Sequence, residues 1–127
     1  MQLINAQTHA ADPATDGVLR VDNTVDPRTL SLDGVRRIDL QFPKFTDGRA
    51  FSQAFLLRRR LGFGGEIRAT GDVLIDQLVQ MARSGFSSAV LREGVDAGAA
   101  ERQFRRYAAF YQGDAVTPQP LFAREAA

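Results

Sequence analysis

A chain of 127 residues, 44% hydrophobic and 24% charged, has the composition of one globular domain with a modest core. Its net charge of +1 gives no general attraction to nucleic acid or to a membrane surface, and no apolar run approaches the ~18 residues that would span a bilayer. The absence of Cys removes disulfides, a thiol nucleophile and a self-ligated iron–sulfur cluster, and a single His, His9, leaves no basis for a His-rich zinc site or a Ser-His-Asp triad. Acid–base chemistry would therefore fall to Asp, Glu, Lys or Tyr. No metal or cofactor of its own is expected, and a redox cofactor would have to be borrowed.

Residues 1–16 show no sustained periodicity and contain Pro13, so they read as a mobile N-terminal tail. They lack the basic-then-apolar order of a secretion signal, which makes the cytoplasm the expected location. A single α/β domain is expected over 17–112. Within it, Val18–Val21 reads as a short strand closed by the Asp22-Asn23 turn. Arg37–Phe42 alternates as a strand, with Ile38, Leu40 and Phe42 on one side and Asp39 and Gln41 on the other. Arg49–Leu61 has helical spacing at Ala50, Ala54, Leu57 and Leu61, with Thr46 or Asp47 as the expected N-cap. Gly62-Phe63 should stop that helix with a left-handed Gly and a hydrophobic residue folding back. Glu66–Ala69 then reads as a strand, Asp72 as the cap of a helix Val73–Ser84, and Gly85-Phe86 as its stop. A further strand, Ser88–Arg92, leads to a helix from Asp96 to Phe110 with Ala100, Phe104, Tyr107, Ala108 and Tyr111 on one face. Residues 113–127 read as a C-terminal extension, extended around Pro118–Phe122.

Gly62-Phe63 recurs as Gly85-Phe86, and Gly71 as Gly94, both 23 residues on. The repeated unit is helix, Gly-Phe stop, short strand, Gly, helix. Consecutive β-α units with short loops imply parallel strands and right-handed crossovers. The expected fold is thus α/β: a small open parallel sheet of three to four strands, or part of a barrel-like curve, with helices mainly on one face. Alternation in two strands makes one sheet face polar, where Asp39 and Arg68 could pair. The plain account of that face is half-solvated ion pairs worth little.

Parallel strands bring their C-terminal ends to one edge, where open α/β folds bind ligands. Lys44, Asp47 and Arg49 follow one strand, and Gly71 and Asp72 the next. Lys and Arg beside free helix N–H groups suit a phosphate, sulfate or carboxylate. Asp47 and Asp72 are equally the residues that cap helices. Asp76 and Gln77 lie one turn beyond Asp72, on what reads more plainly as a polar helix face. Gly62, Gly64 and Gly65 follow a helix and precede a strand, the reverse of a dinucleotide loop. Arg58-Arg59-Arg60 reads as a solvated helix side, or as a docking patch for an acidic partner.

These residues also carry a resemblance. Phe42–Arg49, Ser52-Gln53, Gly65–Ala69, Gly71–Val73, Asp76–Leu78 and Gly85-Phe86 resemble the signature of the bacterial domain-of-unknown-function family 934. The likeness is strong over about 37–92 and weak at Tyr111-Gln112. Phe51, Ile75 and Ser84 depart from the usual Tyr, Arg and Cys, and the last departure speaks against a required thiol. The family has no established activity. The resemblance implies a role in reductive sulfur assimilation, because members lie beside sulfite and nitrite reductase genes and some are labelled oxidoreductase. Three functions stay open. One is an accessory protein docking on such a reductase. Another is a small enzyme or sensor whose Lys44 and Arg49 hold an anion while Asp47 or Asp72 acts as base or orients it. The third is a structural subunit whose motif only caps helices. A homodimer is a reasonable expectation, with no nucleic-acid or membrane partner.

Overall fold

The structure, a computed structural model, describes residues 1–12, 16–44 and 46–108. Five parallel strands form one sheet: β1 (Gln2–Ile4), β2 (Val18–Val21), β3 (Arg37–Phe42), β4 (Glu66–Gly71) and β5 (Ser88–Val90), in the order β1-β5-β4-β3-β2. The helices are α1 (Ala6–Ala10), α2 (Arg49–Arg59), α3 (Leu78–Ser84) and α4 (Ala97–Ala108), with 3₁₀ turns at Pro27–Thr29 and Ile75–Gln77. The open parallel α/β sheet is the expected one, with five strands rather than three or four.

The extra strand comes from the expected tail. Three residues are too short to show a period, yet Gln2, Leu3 and Ile4 pair with Ser88, Ala89 and Val90, and Ile4 is buried. Since β1 and β2 lie at opposite edges of the sheet, the segment between them, including α1, has to cross the sheet. It crosses the polar face. The other face is the core: Ile38, Leu40, Phe42, Ile67, Ala69 and Ala89 pack against Ala50, Ala54 and Leu57 of α2, Leu78 and Met81 of α3 and Ala100 of α4. Phe42, Phe51 and Phe86 meet there, with ring centroids 5.0 to 6.4 Å apart.

Both Gly-Phe stops form as their chemistry dictates. Gly62 and Gly85 take φ of +67° and +116°, and the amides of Phe63 and Phe86 donate back to the carbonyls of Leu57 and Met81 at 2.9 and 3.0 Å. Both Phe rings are buried. Leu61 falls beyond the end of α2 and is exposed, so it does not extend the apolar stripe.

Two helix starts differ from expectation. α2 is capped at Gly48, which has no capping side chain; Asp47 Oδ1 instead accepts from the Arg49 amide at 3.1 Å. Asp72 caps nothing. Val73 N–H turns back to the Gly71 carbonyl at 3.0 Å, Leu74 stays extended with ψ of 145°, and the helical run begins only with the 3₁₀ turn at Ile75. The helix expected from Asp96 begins at Ala97, with Asp96 Oδ1 accepting from the Gly98 and Ala99 amides. Ala100 is buried and Tyr107 exposed. Phe110, Tyr111 and the expected extension 113–127 lie outside the described residues.

Candidate functional site

The strand-end edge assembles as parallel topology requires, but its charges are mostly paired with each other. Asp47 grips Arg49 through both oxygens, at 3.1 Å to Nε and 2.9 Å to Nη2, and accepts from the Asn23 amide at 2.7 Å. The Arg49 guanidinium, with further backbone and Asn23 contacts, holds the Asp47 carboxyl below the usual carboxylate range. An anion reaching Arg49 would have to compete with that bidentate carboxylate. Lys44 is exposed. Asp72 sits 3.5 Å from Arg92 Nε, and its amide donates to the Phe42 carbonyl at 2.7 Å. Gly71 lies opposite Phe42 in the register with φ of +90°, where a Cβ would collide with the Phe42 carbonyl. Gln77 is half-buried at the start of α3, and Asp76 is exposed.

Gln53 contributes more here than its place within a helix suggests. It is buried, and its Nε2 donates to the Asp22 and Val25 carbonyls at 2.9 and 2.8 Å. Together with the Asn23–Asp47 bond, it ties the loop after β2 to the first turns of α2. The Asp47…Gln53 spacing is therefore a clamp on that loop. The Ser52-Gln53 pair stands out in the sequence, but the carbonyls that Gln53 holds are 31 and 28 residues earlier, beyond the reach of any local signal.

Arg58 departs from the expected solvated patch. It is half-buried and gathers three carbonyls: Gly85 at 2.8 Å through Nε, and Phe63 and Gly65 at 2.8 and 2.7 Å through Nη1. Burial lowers its pKa. A Cβ on Gly85 would stand 2.5 Å from Arg58 Cγ, so Gly85 serves both the αL stop and the passage of this side chain. Arg59 and Arg60 remain on the surface, with Arg59 Cζ 5.7 Å from the centroid of the exposed Phe55 ring.

The middle of the polar sheet face is buried, while Arg20 and Gln41 on the same face stay exposed. Arg37, Asp39, Arg68 and Ser88 are 2%, 3%, 8% and 1% exposed beneath the crossing N-terminal segment. Asp39 and Arg68 are register neighbours, yet each finds its partner along its own strand. Arg37 Nε lies 3.0 Å from Asp39 Oδ1, and Arg68 Nη2 lies 2.9 Å from Glu66 Oε2. Asp12 bridges from above, 2.8 Å from Arg37 and 3.8 Å from Arg68. Ser88 Oγ donates to Glu66 at 2.6 Å. Burial alone would raise the Glu66 pKa; the Ser88 and Arg68 hydrogen bonds outweigh it and hold the group below its ordinary value.

His9 belongs to this face. Its Nδ1 is 3.0 Å from Arg68 Nη1, and because guanidinium only donates, Nδ1 must accept, leaving the proton on Nε2 of a neutral ring. Burial, with Arg68, Arg37 and Arg20 nearby, lowers the His9 pKa despite the opposing pull of Asp39. Beside His9, a cleft of about 580 Å³ runs along the face toward the strand ends, lined by Arg20, Asp22, Asp39, Gln41 and Thr70. Among the described residues, no group of three or more His, Asp or Glu side chains could hold a metal ion, and no helix is long and apolar enough to cross a membrane.

Against known proteins, the model of a family described as bacterial protein of unknown function, DUF934, matches residues 18–122. The chain belongs to that family. The match takes in β2 through α4, so the loop clamp, the Arg58 staple and the polar sheet face all lie largely within the family's domain. No curated protein and no solved structure matches the chain.

Proposed function

We propose that the chain is a cytoplasmic accessory protein of reductive sulfur assimilation that docks, through the outer face of α2, on a sulfite- or nitrite-reductase-type enzyme. The observation that carries this is Phe55, an aromatic ring 48% exposed in mid-helix. It lines a shallow cleft with Arg28, Leu56 and Arg60, and Arg59 covers its ring. Aromatic rings with Arg alongside are what protein interfaces enrich at their centres. The positive rim suits a partner with an acidic surface. The family resemblance supplies the class of partner and the sulfur context.

The test is co-elution of the purified protein with a sulfite- or nitrite-reductase-type enzyme of the same organism, and reductase activity with and without it. Wild type should co-elute or raise activity, and Phe55→Asp should abolish both while melting at the wild-type temperature. A protein that neither co-elutes nor alters the activity removes this reading. A deletion strain should also grow poorly on sulfate or sulfite and recover on cysteine.

A further inference from the structure

The cleft on the polar sheet face lies on the opposite side of the sheet from α2 and has no part in the docking reading. Its floor is built by register. Arg20 of β2 lies beside Asp39 of β3, and the next outward-facing pair toward the strand ends is Gln41 beside Thr70. Arg20 and Gln41 are exposed and, among the described residues, their side chains make no hydrogen bond or ion pair, so a guanidinium and an amide line the cleft. Asp39, 3% exposed, also lines it.

Asp39 is incompletely satisfied. Its Oδ1 is close to Arg37 Nε but makes no hydrogen bond, because the N–H is not aimed at it. Its Oδ2 receives a long bond of 3.3 Å from Arg37 Nη2. Arg37 is shared with Asp12 at a shorter 2.8 Å. The buried network sets two guanidinium groups, Arg37 and Arg68, against three carboxylates, Asp12, Asp39 and Glu66. With His9 neutral, one negative charge is left over, and Asp22 adds another at the rim.

We infer that this cleft binds a small zwitterion of the α-amino-acid type. Its anionic group meets the Arg20 guanidinium, and its ammonium meets the Asp39 and Asp22 carboxylates, with the Gln41 amide and His9 available to a polar side chain. A bare anion would be attracted by Arg20 but repelled by the negative excess across the cleft. A bare amine would leave Arg20 without a partner. Only a ligand carrying both charges answers both walls. The volume lies within the range of small-molecule sites, and the strand C-terminal ends are where open α/β sheets place ligands.

The test is calorimetric titration of the full chain with L-serine, L-cysteine, L-glutamate, sodium sulfate and ethylamine. At least one amino acid should bind with a Kd near or below about 1 mM, while sulfate and ethylamine bind at least about tenfold more weakly. Arg20→Met, at an exposed residue whose side chain has no hydrogen bond or ion pair among the described residues, should fold normally and weaken amino-acid binding by about tenfold or more. Asp39→Asn should weaken it similarly; should that variant unfold, Asp22→Asn at the rim gives the same readout. Sulfate binding as tightly as the amino acids, indifferent to Asp22→Asn, would make this an anion site and overturn the zwitterion. No binding of any probe at about 10 mM, or full binding by Arg20→Met, would overturn the site itself.

Discussion

Arg58→Met removes three charge-assisted hydrogen bonds while keeping an apolar stem of similar length. Hydrogen bonds from a charged donor contribute roughly 1.5–3 kcal/mol each. The simple sum overstates the loss. One nitrogen serves two of the three acceptors, and burial lowers the Arg58 pKa, so removing the guanidinium also relieves a desolvation cost. A net loss of about 2–4 kcal/mol follows. At this chain length a kilocalorie moves Tm by about 4 °C, so Tm should fall by roughly 8–16 °C. Thermal and urea unfolding followed by circular dichroism would measure it, with the urea m-value unchanged. Arg60→Met, two residues along and exposed, is the control and should stay within about 0.5 kcal/mol of wild type. Equal, small effects from the two variants would show that Arg58 does not staple α2 to the Gly-Phe stops.

Other consequences follow from the same geometry. Gly71→Ala places a Cβ against the Phe42 carbonyl at φ of +90°, and should cost at least about 2 kcal/mol, read as a lowered urea midpoint; an unchanged midpoint would mean the β3–β4 ends are not held as described. Gln53→Met strands the Asp22 and Val25 carbonyls and should cost about 1–3 kcal/mol, with faster hydrogen exchange across 22–26; uniform exchange would argue against the clamp. The lowered His9 pKa means the unfolded chain takes up a proton more readily than the folded one. The stability due to neutral His9 is therefore present above the ordinary value of about 6.5 and is lost as pH falls below it, and His9→Gln should flatten that limb of the Tm–pH profile. Asp47 and Glu66 have lowered pKa values, so their contribution is present above the ordinary carboxylate range of about 4 and lost in more acid solution; a Tm that holds steady down to about pH 2.5 would contradict those pairings.

Local chemistry wrote the repeating part of this protein into its sequence. Alternation marks β3, helical spacing marks α2, and each Gly-Phe pair marks a helix end, because these signals act within one turn or one strand. Parallel order followed from short β-α connections. The strand-end edge with Lys44, Asp47, Arg49, Gly71 and Asp72 was placed by the same logic. What tertiary structure decided depends on partners far apart in the chain. Three residues at the N-terminus become a strand only because β5 offers an open edge. His9 and Asp12 matter only because crossing from β1 to β2 lays them over Arg37 and Arg68. Arg58 looks like its neighbours Arg59 and Arg60, yet it reaches the carbonyls of Phe63, Gly65 and Gly85 in two other segments. Asp39 pairs along its strand rather than across it, since buried charges take whichever partner geometry and desolvation allow. Periodicity reports which face a residue occupies; only the packed chain shows what covers that face.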